Sequence, residues 1–182
     1  MGSKIWTFET LAQASRAALE EALLDSKAPD PRRLAGYVYN GYNHDWLGQL
    51  PGKKFRKVFL AKDERFYGLN QIVQQDGNDF TGQWRVRVDN DRPVELGYYR
   101  VLSAAESTSN RQVAQYDHLL LLDYNIDPNP KGDRMMRAIR DYVGLPNEGD
   151  YDLVLGKAYL QITSFFYIFA SYFVLGQREA YK

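Results

Sequence analysis

The chain has 182 residues, of which 45% are hydrophobic and 25% are charged, a composition typical of one globular domain. Its 23 lysines and arginines balance its 23 aspartates and glutamates, so no net charge favours nucleic acid as a partner. The chain contains no cysteine, which excludes disulfides, thiolate catalysis and zinc-thiolate sites.

The N-terminal part of the sequence predicts a helix. Residues 1–4 lack the basic start of a secretory signal and no apolar run follows them, so the cytoplasm is the expected location. Residues 7–27 carry apolar side chains at three- and four-residue spacings, which predicts one amphipathic helix. The prolines at 29 and 31 end it. We expect residues 1–33 to form a helix and linker that pack on a barrel domain of residues 34–182.

After residue 34, turn residues separate short runs rich in β-branched and aromatic side chains, the pattern of an antiparallel meander. The runs predict strands at residues 36–41, 54–61, 68–75, 83–89, 95–103, 116–125, 152–162 and 165–175. Eight strands can close a barrel. We therefore predict a mainly β fold, an antiparallel up-and-down barrel with the N-terminal helix and one short helix, residues 135–143, before the last two strands.

The segment 158–175 contains no charge and approaches the length of a membrane-spanning helix. Gln161, Thr163 and Ser164 interrupt it, and two strands around a Thr-Ser turn explain it better. We expect no membrane span. Both faces of the last predicted strand are apolar, so its outer side needs a cover, supplied by the N-terminal helix or by a second copy in a homodimer.

Several short motifs lie along the chain after residue 34. They are Gly41 with Trp46, Gly52-Lys53-Lys54-Phe55, Gly68-Leu69-Asn70, Leu122-Asp123-Tyr124 with Asn129-Pro130, Ile139-Arg140-Asp141 and Leu155-Gly156-Lys157-Ala158-Tyr159. Together they resemble an uncharacterised family of bacterial proteins with a lipocalin-like β-barrel. The resemblance implies a fold and, by analogy with lipocalins, the binding of a lipophilic ligand, although fold alone does not establish function.

His118 and Asp123 are the candidate catalytic residues. An imidazole beside Asp117 suits a general base, but strand alternation points the two aspartates away from His118, and the alternative is a histidine packed at a barrel end. Asp141, with Arg140, is interpreted as part of the solvated face of the short helix. The two histidines lie far apart in sequence, so no metal-ligand spacing exists, and we expect neither a metal nor a cofactor.

Polar and aromatic side chains on otherwise apolar strands are the candidate ligand-binding residues. Arg87 and Arg100 suit a carboxylate, and the alternative is cross-strand ion pairs on an exposed face. His44 lies in a loop expected at the barrel mouth, where an ordinary turn is the alternative. Lys157 and Asp123 either bind a ligand or form an ion pair. The full set is Tyr39, His44, Trp46, Asn70, Arg87, Tyr98, Arg100, Tyr124, Lys157 and Tyr159.

Three functions stay open. The first is the binding of a small hydrophobic or amphipathic molecule, lipid-like or similar to a polyketide or terpenoid, in the barrel cavity. The second is a cofactor-independent enzyme, an isomerase or cyclase, in which a tyrosine, His118 or Asp123 moves a proton. If aromatic side chains fill the lumen, both hypotheses fail, and an oligomerising interaction module without a ligand gains support.

Overall fold

A computed structural model describes residues 5–45, 52–77, 79–107 and 110–182 of the chain. The strands are β1 (Tyr37–Asn43), β2 (Lys54–Lys62), β3 (Arg65–Ile72), β4 (Val88–Asp89), β5 (Arg92–Pro93), β6 (Glu95–Ser103), β7 (Leu120–Asp123), β8 (Ile139–Gly144), β9 (Leu153–Gln161) and β10 (Tyr167–Ala180). The helices are α1 (Phe8–Ala12), α2 (Arg16–Leu24), α3 (Pro31–Leu34), α4 (Ala104–Ser107) and α5 (Arg134–Ala138).

Eight of these strands form a closed barrel in the order β1-β10-β9-β8-β7-β6-β3-β2, and every neighbouring pair is antiparallel. The order is that of an up-and-down meander, with the short β4–β5 hairpin inserted between β3 and β6. The predicted mainly β fold with an antiparallel eight-stranded barrel, an N-terminal helix and a short helix ahead of the final strands is confirmed.

Aromatic side chains fill most of the barrel interior. Edge-on contacts join the rings of Tyr39 and Phe59 at 5.6 Å and those of Phe59 and Tyr99 at 5.8 Å, and the ring of Tyr124 lies 5.3 Å from that of Tyr99. Gly68 makes room for this packing, because a Cβ there would lie 2.3 Å from the Tyr99 hydroxyl and 2.1 Å from a backbone oxygen. The interior is therefore a packed core rather than an open channel.

The N-terminal helices cover the outer face of the barrel. Leu11, Leu19 and Leu23 are fully buried in one cluster with outward-facing barrel residues such as Val174. The predicted single helix is two, because Ser15 has an extended backbone and its side chain caps α2. The apolar outer side of β10 thus receives its cover from the same chain.

The predicted strand at 83–89 is wrong as a barrel strand. Val88–Asp89 pairs with Arg92–Pro93 in a separate hairpin through a turn in which Asn90 and Asp91 both have positive φ. The rest of the segment makes one isolated bridge, from Val86 to Val73 beyond the end of β3. Trp84, within the predicted strand, donates its indole N–H to the carbonyl of Gly41 at 2.9 Å. Contact with the barrel outside overrides the local alternating pattern.

The predicted helix at 135–143 is correct only at its start. Helix α5 ends at Ala138, and the next six residues form β8, which pairs with both β7 and β9. Ile139 and Val143 alternate with Arg140 and Tyr142, a pattern that fits a strand as well as a helical face over so few residues. Strand β8 therefore supplies the eighth barrel strand in place of 83–89.

The predicted strand at 116–125 is shorter in the structure, since Tyr116 lies in a 3₁₀ turn and β7 begins at Leu120. The apolar segment 158–175 forms the end of β9, a turn and most of β10. Among the described residues, no helix has the length and apolar character needed to cross a membrane.

Candidate functional site

A cluster of four polar side chains lies inside the barrel: Lys57 of β2, Asn70 of β3, Tyr124 after β7 and Asp141 of β8. The Lys57 ammonium donates to the Tyr124 hydroxyl at 2.6 Å and to the Asp141 carboxylate at 3.1 Å. The Tyr124 hydroxyl donates to Asp141 at 2.9 Å and accepts from the Asn70 amide at 3.2 Å. We call these four residues the lumen cluster.

Strand pairing explains why these residues meet. Lys57 pairs with Asn70 across β2 and β3, and Asp141 lies opposite Leu122 across β7 and β8. Inward-facing residues recur every second position along each strand, so the cluster shares the interior with Phe55 and other apolar side chains. The barrel therefore brings together charges that lie more than eighty positions apart in sequence.

Four aromatic rings surround the Lys57 ammonium. The nitrogen lies 4.8 Å from the centre of the Tyr99 ring and 5.3 Å from those of Tyr124 and Phe173, with Phe55 at 5.6 Å. A desolvated cation gains from such rings, because their faces carry partial negative charge. Lys57 is fully buried among these rings, and Asp141 is the only carboxylate paired with it among the described residues.

Burial disfavours the charged form of every titratable group in the lumen cluster and shifts the pKa of each group accordingly. It lowers the pKa of Lys57 and raises the pKa of Asp141, while their mutual contact opposes both shifts. Burial likewise raises the pKa of the Tyr124 hydroxyl well above its ordinary value. The pKa values of the amine and the carboxylate therefore lie closer together than in water.

A cavity of about 40 Å³ adjoins the lumen cluster. Its inner lining includes all four cluster residues, and its outer end is lined by the half-buried side chains of Leu96 and Met136. The side-chain amide oxygen of Asn70, Oδ1, is buried and has no hydrogen-bond partner in the described structure. A lining residue of the cavity thus carries an unused acceptor next to an ion pair of zero net charge, and the space is large enough for a few waters or one polar group.

The structure places three of the sequence-predicted ligand-binding residues in the barrel interior: Tyr39, Asn70 and Tyr124. Tyr39 is fully buried and donates its hydroxyl to the carbonyl of Tyr151 at 2.9 Å, and burial raises its pKa to about 12. Asn70 and Tyr124 belong to the lumen cluster.

Two other candidates, Lys157 and Tyr159, lie on the outer face of β9 beneath α2. The Lys157 ammonium donates to the Glu20 carboxylate of α2 at 2.7 Å and to the Tyr116 hydroxyl at 2.6 Å. The hydroxyls of Tyr116 and Tyr172 donate to the same carboxylate. This outer latch, composed of Glu20, Lys157, Tyr116 and Tyr172, ties the helical cover to the barrel, and Lys157 does not pair with Asp123.

The Glu20 to Gln substitution is expected to lower the free energy of unfolding by about 1–2 kcal/mol at neutral pH, as hydrogen bonds to a partly exposed charge weaken. Burial alone would raise the pKa of Glu20, but the hydrogen bonds from Lys157, Tyr116 and Tyr172 outweigh it and lower that pKa. The carboxylate therefore contributes stability that is lost as pH falls through the lowered pKa. Urea unfolding should show the difference from wild type shrinking as pH falls through the lowered pKa of Glu20, and Glu21→Gln is the exposed control.

Asp123 and Arg100 face the barrel exterior and pair with each other across β6 and β7. The Arg100 guanidinium donates to Asp123 at 2.6 Å and 2.9 Å, and Arg140 lies 3.1 Å from the other carboxylate oxygen. This arrangement is the cross-strand ion pair considered as the alternative for Arg100. It does not extend to Arg87, which is exposed between β3 and β4.

The histidines lie outside the lumen. His118 is exposed in the turn before β7, with its Nδ1 3.9 Å from Asp117. The ring of His44 contacts the carbonyl of Ala14 at 2.8 Å. A further ligand-binding candidate, Tyr98, also lies outside the lumen, half-buried on the outer face of β6. The functional roles proposed for these residues stay predictions, and Trp46 lies outside the described residues.

Sequence reasoning missed Lys57 and Asp141. A signal for Lys57 was present, because it shares one face of a predicted strand with Phe55 and Phe59, and a lone charge on such an apolar face is unusual. Asp141 was assigned to a solvated helix face, and that interpretation is wrong, since β8 turns its side chain inward and leaves it 3% exposed. Its signal was hidden by the helical interpretation of the segment.

A groove of about 710 Å³ lies on the surface between α2 and the β8–β9 connection. Its carboxylates Glu21, Asp25 and Glu148 are exposed, Asp150 is half-buried, and none of its lining polar side chains is fully buried. No group of three or more metal-ligating side chains occurs within the described ranges. The lumen cluster is therefore the best-formed candidate site.

Comparisons with models of protein families, with curated proteins and with solved structures find no match to this chain.

Proposed function

We propose that the barrel binds a small, mostly apolar ligand whose single polar group enters the cavity beside the lumen cluster. The buried side-chain oxygen of Asn70, Oδ1, which has no hydrogen-bond partner in the described structure, carries this proposal. A buried acceptor without a partner costs free energy, and a hydrogen-bond donor on a ligand removes that cost. The resemblance to lipocalin-like bacterial proteins supports the same proposal by analogy.

The cavity volume narrows the class of ligand. Pockets for drug-sized ligands measure about 300–1,000 Å³, whereas this cavity has about 40 Å³. It suits the head of a compact amphipathic molecule, with the apolar remainder against Leu96 and Met136 at the outer end. Methionine is unbranched and flexible, so Met136 is suited to pack around such a ligand.

The charges of the lumen cluster favour a neutral head. Lys57 and Asp141 compensate each other, and an anionic head would place a second negative charge beside Asp141. A hydroxyl group on the ligand can donate to Oδ1 of Asn70 without placing a charge beside Asp141. We therefore favour an alcohol over a fatty acid within the proposed class.

Octanol and octanoate provide the test. We expect octanol to raise the melting temperature of the protein and to bind in calorimetry, and octanoate at neutral pH to bind more weakly. The Asn70→Leu variant should bind octanol about fivefold more weakly, the equivalent of one lost hydrogen bond of about 1 kcal/mol. Asn40→Leu, on β1 with its side chain bonded to Gln177, is the matched control and should bind octanol normally.

Three results together would contradict the proposal: no octanol binding, no binding of a fluorescent fatty acid, and no co-purified lipid in a native mass spectrum or organic extract. The packed lumen would then favour the oligomerising module, which analytical ultracentrifugation detects as a concentration-dependent mass.

A second candidate, proton-transfer chemistry on a small apolar substrate, is favoured by one observation. Burial brings the pKa values of Lys57 and Asp141 toward each other, as in acid–base pairs. Exchange of the α-protons of methyl hexyl ketone with deuterium, followed by NMR, tests it. Exchange catalysed by the wild type and lost in Asp141→Asn would favour the enzyme, and exchange at the uncatalysed rate would exclude this ketone chemistry.

A further inference from the structure

Exposed apolar side chains gather at the tip of the hairpin that joins β9 and β10. Four of the eight exposed large hydrophobic residues in the described chain lie there: Ile162, Phe165, Phe166 and Ile168. Phe165 is 86% exposed and is the most exposed of the eight. A cluster of this kind on the surface marks an interaction site more often than scattered single residues do.

Hydrogen bonds hold the hairpin tip in one shape. The amides of Ile162 and Thr163 donate to the carbonyl of Phe166, and the amide of Phe165 donates to the Thr163 hydroxyl at 3.2 Å. The side chain of Asn110 also donates to the carbonyl of Ser164 at 2.8 Å. The two phenylalanine rings are therefore presented to solvent by an ordered turn.

A basic groove of about 410 Å³ adjoins the tip. Ile162 and Thr163 form part of its wall, and no carboxylate lines it. Its cations are Lys131, Arg134, Arg137 and Arg140. Arg137 pairs with Asp127, and Arg140 pairs with Asp123. Lys131 and Arg134 are exposed and form no ion pair with any residue in the described ranges.

We propose that the hairpin tip and this groove together form a docking surface for a bilayer containing anionic phospholipid. Phe165 and Phe166 enter the interfacial region, and Lys131 and Arg134 meet the phosphate-bearing headgroups. Met135, 43% exposed on α5 between the groove residues Arg134 and Arg137, extends the apolar part of the surface.

Two observations favour a bilayer over a protein partner. The apolar side chains project from the end of a hairpin, and a soft interface accepts a projecting tip without a complementary pocket. The unpaired cations beside the tip complement the negative surface of anionic membranes, which attracts each nearby lysine or arginine appreciably. Apolar side chains next to basic ones are the composition of interfacial membrane anchors.

Vesicle flotation tests the surface directly. At low ionic strength we expect the full chain to float with phosphatidylcholine vesicles containing about one third phosphatidylserine, to bind pure phosphatidylcholine weakly, and to be released by added salt. The Phe165→Ser/Phe166→Ser double variant should bind these vesicles at least about tenfold more weakly than the wild type, and so should the Lys131→Glu/Arg134→Glu double variant. All four residues are exposed, so circular dichroism and melting should match the wild type.

Matched controls lie on two other hairpins. Val88→Ser removes an exposed apolar residue, and Lys62→Glu/Arg65→Glu reverses two exposed charges at the β2–β3 turn. Both should bind vesicles as the wild type does. Absence of flotation, or flotation that the tip and groove variants leave unchanged, overturns the proposal. If the Phe165→Ser/Phe166→Ser variant instead abolishes a dimer seen by sedimentation, a second copy is the occupant and the membrane assignment is wrong.

Discussion

Replacing Lys57 by methionine is expected to lower the free energy of unfolding by about 3–5 kcal/mol at neutral pH, because the buried carboxylate of Asp141 loses its ion-pair partner. Both partners of the pair are almost fully buried, and the Tyr124 hydroxyl is the one side-chain donor to Asp141 that remains among the described residues. Urea denaturation at constant temperature measures the loss. A loss within about 0.5 kcal/mol, the range of ordinary surface changes, would show that the pair contributes nothing.

The size of this loss should depend on pH. Burial raises the pKa of Asp141, and the contact with Lys57 lowers it, so the Lys57→Met variant has a still higher pKa at Asp141. Its folded state then keeps a proton that the unfolded chain releases, and stability present at low pH is lost as pH rises. We therefore expect the variant to be closer to the wild type at about pH 5 than at about pH 8.

Two further variants complete the Lys57 experiment. Lys57→Met/Asp141→Leu removes both charges and should recover most of the lost stability, because a buried ion pair is often replaceable by apolar residues of similar size. Lys62→Met, at the exposed end of β2, is the matched control and should change stability little. A double variant as unstable as the single one would mean that the pair is not the cause.

Replacing Phe173 by alanine is expected to cost about 3–5 kcal/mol, the range for removing a large aromatic side chain from a core. Phe173 is 2% exposed, lies edge-on to Phe55 at 6.0 Å, and occupies the space that a side chain at Gly156 would need. Chemical denaturation measures the loss. Phe165→Ala is the control, since its ring is exposed and should contribute little.

The space left by Phe173 gives a second readout. An apolar cavity in a packed core stays dry and binds small apolar molecules such as benzene. We expect benzene to raise the melting temperature of Phe173→Ala and to leave that of the wild type nearly unchanged. If benzene stabilises neither protein, the barrel wall has collapsed into the space, and the lumen is less rigid than its ring contacts indicate.

The candidate site was only partly predictable. Asn70 and Tyr124 were found because each is polar or amphipathic within an apolar strand, and their interior placement follows from strand alternation. Lys57 and Asp141 join them only through pairing around the barrel, which local patterns do not reveal. The outer latch has the same origin: Lys157 was singled out, but its partner Glu20 lies 137 positions away on a separate helix.

By itself, the sequence determined that this protein is a cysteine-free, aromatic-rich antiparallel barrel of eight strands with a helical N-terminus, because turn residues and β-branched runs act locally. Only the tertiary structure decided which segments close the barrel, since 83–89 and 139–144 both alternate and long-range pairing selects the second. It also decided that aromatic side chains fill most of the lumen and leave a cavity of about 40 Å³ beside the lumen cluster. Packing volume and the burial of Lys57 against Asp141 depend on all eight strands at once, and no local pattern encodes them.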